Sequence, residues 1–227
     1  MRKFSLVKKI GCTILLLGLV ISAPCGLWAQ EKTASADKAQ TRLAVIPFQA
    51  VQPEDTSATV RCPVCGSVNS SGSIVRGAEM IVQEIFTDKL RDVKDAEIIS
   101  SERAAGVYQR ISMDSLKQPL LKIVQKAGKE LQADVVAIGY VYRYRERVGY
   151  DYSAEHPASV AFEIHLISVK DGVTLWRGIF DKTQKSLMED VFQASSFFKG
   201  GAKWLTAREL AKLGVDEVFT TFPGFER

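Results

Sequence analysis

Two short apolar runs, Leu43-Ala44-Val45-Ile46-Pro47-Phe48 and Ala96 to Ser100, bracket a stretch whose apolar residues recur at helical spacing. No other feature of the chain restricts its fold as much. A short unbroken apolar run suits a strand buried on both faces, and Pro47 closes the first one. Between the runs, Ile81, Val82, Ile85, Phe86 and Leu90 fall on one helix face, while Glu79, Gln83, Glu84 and Lys89 lie mostly elsewhere. Strand, helix, strand in that order is a crossover unit, so the two strands are expected to pair in parallel.

The rest of the chain extends this sheet. Helical stretches are expected over Glu102–Ile111 and Leu120–Leu131, the second with an apolar face of Leu120, Leu121, Val124, Ala127 and Leu131. Ala133 to Arg147 begins as buried apolar sequence and then alternates. Val160, Phe162, Ile164 and Leu166 alternate with Ala161, Glu163, His165 and Ile167, the period of a half-buried strand. Lys170-Asp171-Gly172 is a tight hairpin signal, with Val173 to Lys182 returning as the partner strand. Ser186 with Glu189, and Thr206 with Glu209, have capping-box spacing at two helix starts. The fold class is therefore α/β: a single domain with a mixed sheet of about five strands, two parallel through a crossover helix and three antiparallel, flanked by helices. Val45, Ile46, Ile98, Val136, Ile138, Phe162, Ile164 and Leu166 are expected to form its core. Trp204, Leu205, Leu210, Leu213, Val218 and Phe219, with Phe197 and Phe198, are expected to line helices covering the sheet, with partner docking as the alternative.

The domain is expected over residues 42–227, with a long loop at 49–75 that has no apolar period and many Ser, Thr, Pro and Gly residues. Residues 30–41 are small and polar, as in a flexible arm. Residues 1–29 have the form of a secretory signal peptide: a basic start (Arg2, Lys3, Lys8, Lys9), an apolar stretch from Ile10 to Ala23, then the helix breakers Pro24 and Gly26. Cleavage is expected after Ala29. Lipidation at Cys25 is the alternative, but Pro24 stands where lipoprotein processing needs a small residue. The expected location is the periplasm or a comparable exported space, with outer-membrane association if Cys25 is lipidated. An uncleaved leader or that lipid would be the chain's link to a membrane.

Residues 1–30 contain no acid, and beyond them the 26 acidic residues face an equal number of basic ones. That balance argues against a nucleic-acid binder. With 46% apolar and 25% charged residues, global disorder is excluded as well.

LAVIPF followed by a long loop and helix, EIISSER, ELQADVVAIGYV and LISVKDGVTLWRG carry a resemblance to the TolB amino-terminal-domain, CsgG and LpoB-like family of bacterial envelope proteins, over roughly residues 42–183. The resemblance implies the same α/β fold and an accessory or assembly role in the envelope, and it brings no catalytic residues. The Cys62–Cys65 loop and residues 200–222 depart from the shared pattern.

Cys62-Pro63-Val64-Cys65-Gly66 is the sharpest local motif. Two thiols at this spacing can bind one edge of a zinc tetrahedron, form a small-ring disulfide, or shuttle electrons. In an exported chain the disulfide is the expectation. Zinc is the alternative, using Cys62 and Cys65 with His156 and His165 or with the cysteines of a second protomer. Alternation places Tyr140, Tyr142 and Tyr144 on one strand face and Arg143, Arg145 and Arg147 on the other, a candidate partner surface whose bland counterpart is a solvated strand edge. His165, beside Glu163, is expected on the polar-facing side of its strand. With two histidines and no nucleophile elbow, no catalytic triad can be assembled. No catalytic residue and no cofactor is assigned. The expected function is a non-catalytic exported envelope accessory or assembly protein acting through protein or cell-wall contacts, its envelope partner unidentified. The alternative is a metal- or thiol-dependent envelope protein using Cys62 and Cys65.

Overall fold

The computed structural model describes residues 40–53, 58–185 and 203–225. The expected helix after Ser186 lies outside them, as do Phe197 and Phe198. Strand β1 (Thr41–Val45) pairs in parallel with β5 (Ala96–Ile99), and helix α1 (Ala78–Leu90) supplies the crossover. On its other side β1 pairs in parallel with β6 (Val135–Arg145). The β6 strand pairs antiparallel with β9 (Ser159–Ser168), and β9 with β10 (Thr174–Thr183), so the sheet runs β10-β9-β6-β1-β5. Asp134 fixes the central pairing: its carboxylate accepts from the Arg42 backbone N–H at 2.9 Å, and its own N–H donates to the Arg42 carbonyl at 2.8 Å. An aspartate just ahead of a buried strand thus clamps β1 and β6 together.

The two faces of the sheet are covered by different helices. On the first, Leu43, Val45, Ala137, Phe162, Ile164 and Leu166 pack with Val82 and Phe86 of α1 and with Leu210, Val215 and Val218 of α4 (Ala207–Phe219). On the second, Ala44, Ile46, Val136 and Ile138 meet α2 (Ser101–Asp114) and α3 (Leu120–Leu131) through Tyr108, Ile111, Val124 and Leu131. Every expected core residue is buried except Ile98, which is half-buried because β5 is the edge of the sheet. The Thr206–Glu209 capping box forms as expected at the start of α4, and Gly172 takes φ +78° in the turn joining β9 to β10. Leu205, Leu210 and Val218 are buried, so the tail covers the sheet as expected.

The stretch expected as a long loop carries structure. Gln49–Ala50 forms β2, which continues along the edge of β6 beyond β1, and Gly72, Ser73 and Val75 bond further along that edge to Tyr142 and Tyr144. Between these segments, β3 (Thr59–Arg61) and β4 (Val68–Ser70) form a short antiparallel hairpin. Beyond β6, β7 (Val148–Tyr150) and β8 (Ser153–His156) make a second exposed hairpin.

The tyrosine and arginine stripe is not displayed as a surface. Tyr140, Tyr142 and Tyr144 are all buried, and they do not share a face: Tyr140 and Tyr142 pack on the second face, Tyr144 on the first. The cause is a register shift between Val141 and Arg143, where one extra residue on β6 breaks the alternation. Arg143 donates to Ser159 Oγ at 2.6 Å and pairs with Asp181. Arg147 donates to Asp151 at 2.6 Å and to the Trp204 carbonyl at 2.5 Å. Of the three, Arg145 is exposed, while Arg143 and Arg147 are half-buried.

A candidate metal centre beneath the cysteine hairpin

Alternation along β9 sends Val160, Phe162, Ile164 and Leu166 to the first face, so Ala161, Glu163, His165 and Ile167 must point to the second. A solvated second face would suit Glu163 and His165 well. This one is covered instead by α3, by Tyr140 and Tyr142 from β6, and by the β3–β4 hairpin, so both side chains are 0% exposed.

The hairpin is short, and its turn holds the CPVC motif. The Cys62 N–H donates to the Ser67 carbonyl at 2.8 Å, and the Gly66 N–H donates back to the Cys62 carbonyl at 2.9 Å. Gly66 takes φ +73°, a left-handed conformation that a glycine adopts without strain. This tight turn directs both thiols toward the sheet. Cys62 is 3% exposed, while Cys65 sits at the rim. The structure holds the two thiols free, where a disulfide is the expectation, and each faces β9.

Cys62 Sγ lies 3.3 Å from His165 Nε2, and Cys65 Sγ lies 3.2 Å from Glu163 Oε1. His165 Nε2 and Glu163 Oε1 are 2.9 Å apart, and the four ligand atoms all lie within 4.8 Å of one another. The groups that could complete a metal site with the two thiols are thus Glu163 and His165. His156, one of the histidines expected for zinc, ends β8 in the exposed hairpin and is not in the cluster.

Around Glu163 stands a ring of donors. Arg177 Nε donates to Oε1. Oε2 accepts from Tyr142 at 3.0 Å, Ser67 at 3.2 Å and Asn69 at 3.2 Å. Arg177 also reaches Ser67 Oγ at 2.7 Å, tying the hairpin to β10. Burial by itself would raise the Glu163 carboxyl, but the hydrogen bonds from His165, Arg177 and Cys65 outweigh it and hold the group well below the usual carboxylate range. The same carboxylate raises Arg177. Burial pushes the Cys62 thiol up, and the negative charge of Glu163 adds to that against hydrogen bonds from backbone N–H groups and Tyr142. Burial also raises Tyr142, reinforced by Cys62 and Glu163.

Chemically, the site offers two soft sulfurs, an imidazole nitrogen and a carboxylate oxygen around one point, the donor types of a tetrahedral metal site. Burial of the Cys62 thiol disfavours its thiolate in the absence of a metal. Sequence reasoning missed Glu163, Ser67, Asn69 and Arg177. The available signal was Glu163-x-His165: two ligand types on one strand face, directly opposite the core face.

No protein-family model and no curated protein matches the chain. Among solved structures it is similar to the PelC dodecamer from Paraburkholderia phytofirmans, at 13% identity over 83% of this chain and 91% of that one, with a TM-score of 0.46. It is similar also to lipoprotein GNA1162 from Neisseria meningitidis, at 12% identity over 71% and 99% with a TM-score of 0.39. The LpoB C-terminal domain from Escherichia coli matches at 12% identity over 66% and 88%, also with a TM-score of 0.39. No described helix is long and apolar enough to cross a membrane.

Proposed function

We propose that the protein is a non-catalytic accessory or assembly protein of the cell envelope, exported by residues 1–29 and acting through protein contacts. The observation that carries this reading is the inward orientation of its reactive groups. Glu163 and His165 are 0% exposed, and the carboxylate is already committed to Arg177, Tyr142, Ser67 and Asn69. A general acid or base must reach a substrate proton, and a carboxylate buried and hydrogen-bonded within its own protein does not. These groups hold the hairpin to the sheet, which leaves the outer surface to make the contacts. The basic start and apolar stretch of residues 1–23 support export.

Fractionation of the native host, with mass spectrometry of the amino terminus, tests the reading. The expected result is a chain starting near Gln30 in the periplasmic fraction, cross-linked in intact cells to an envelope protein. An intact Met1 on a cytosolic chain overturns export, and a diacylglyceryl group on Cys25 replaces the soluble form with an anchored one.

A further inference from the structure

We infer that Cys62, Cys65, Glu163 and His165 of a single chain bind one zinc ion, which fastens the β3–β4 hairpin to the sheet. The inference stands independently of the envelope role.

Geometry is the first support. Zinc bonds of about 2.3 Å to sulfur and about 2.0–2.2 Å to nitrogen and oxygen imply tetrahedron edges of roughly 3.3–3.8 Å. The separations of 3.3 Å between Cys62 Sγ and His165 Nε2, 3.2 Å between Cys65 Sγ and Glu163 Oε1, and 2.9 Å between His165 Nε2 and Glu163 Oε1 are near those edges. The other three separations are within 4.8 Å, so the four atoms surround one point.

Donor chemistry is the second. Two thiolates with an imidazole and a carboxylate suit zinc better than the hard cations calcium and magnesium, which take oxygen ligands. Four protein ligands also leave no open position for water, the pattern of a structural site.

Charge is the third support. The two thiolates and the Glu163 carboxylate are balanced, charge for charge, by a dication and the Arg177 guanidinium that already pairs with Glu163. Zinc takes the place of the two thiol protons, which go to solvent, and the proton with which His165 Nε2 bonds Glu163 passes to Nδ1, which makes no other bond in the structure, so a site with a neutral imidazole keeps its net charge. No uncompensated charge is created in a region where one would be costly.

The hairpin has a use for such a staple. Its strands are three residues each, and an isolated two-stranded ribbon is marginal in water. Cys62 and Cys65 come from the turn of this ribbon, and Glu163 and His165 from the buried strand beneath it.

Cobalt titration of the purified full-length chain, reduced and stripped with chelator, tests the inference. The expected result is an endpoint at one cobalt per chain, with intense thiolate-to-cobalt charge-transfer absorption, strong tetrahedral d–d bands, and displacement by zinc. Cys65→Ser, in an exposed turn that the core does not depend on, should weaken binding at least about tenfold. Glu163→Gln should do likewise, and His156→Ala should leave the titration unchanged. A spectrum without thiolate bands overturns the inference. So does an endpoint of one cobalt per two chains, which would assign the ligands to two protomers. Binding by Cys65→Ser equal to that of the parent also overturns it.

Discussion

The thiol of Cys65 reaches Oε1 of Glu163 at 3.2 Å across 98 residues of chain. This contact joins the segment with least sequence pattern to the strand with most, and it explains why the hairpin sits where it does. Glu163 is the anchor: side chains from β10, β6 and the turn and second limb of the hairpin converge on one carboxylate.

Removing that carboxylate should therefore be destabilising. Glu163→Ala strands Arg177, Tyr142 and Asn69 without their shared acceptor. Arg177 is itself solvated, so the loss comes mainly from the buried Tyr142 hydroxyl left without its acceptor, about 1–3 kcal/mol. Urea unfolding should show a midpoint lowered accordingly with an unchanged slope. An unaltered midpoint would mean that the ring of donors contributes nothing.

Phe162 is 1% exposed on the first face and stacks on Phe180 with ring centroids 5.4 Å apart. Phe162→Ala should destabilise the domain by about 3–5 kcal/mol, the usual cost of a lost core ring. Thermal melting checks it, and an unchanged midpoint would refute the face assignment of β9.

The α4 start gives a pH-dependent term. Lys203 and the backbone and side chain of Thr206 hold the Glu209 carboxyl down at about 2, below its ordinary 4.5. A carboxylate with a depressed folded pKa stabilises fully above its unfolded value, and that stability is lost as pH falls from about 4.5 toward 2. Glu209→Gln should flatten this part of the pH–stability curve, and Thr206→Ala should cost about 1 kcal/mol at neutral pH. Circular dichroism melts from pH 2 to 7 decide both.

Much of the fold was legible because its elements are locally consistent. Leu120 to Leu131 reads as a helix from its own apolar stripe, and the Lys170-Asp171-Gly172 turn declares the β9–β10 pairing. Where reasoning from period failed, a non-local event had intervened. A bulge after Val141 moved Tyr144 to the opposite face from Tyr142, and no rule of strict alternation contains a bulge. Glu163 and His165 looked solvent-facing because polar residues on alternate positions usually are. What covers them is a hairpin whose strands are too short to register as a pattern. The Cys62–Cys65 motif was visible at once, but its complement lies about a hundred residues downstream, and only the sheet brings the two together.

Metal loading should protect one peptide bond selectively. Arg61 is exposed at the end of β3, immediately before Cys62, so trypsin can cut there only after the hairpin opens. Opening separates Cys62 and Cys65 from Glu163 and His165, so zinc binds the closed form and not the open one. Linkage then stabilises the closed form by about 2.7 kcal/mol at a hundredfold excess of free metal over its dissociation constant. When opening and closing are fast relative to cleavage, the rate follows the open population, so cleavage after Arg61 should slow about a hundredfold. Lys117, exposed in the turn between α2 and α3, supplies the internal control, because opening of the hairpin leaves that turn unchanged. Its cleavage rate should not depend on zinc. Mass spectrometry of timed digests of the reduced chain, with zinc or with chelator, measures both bonds in one sample. Equal rates after Arg61 in the two conditions would show that the hairpin is not held by metal.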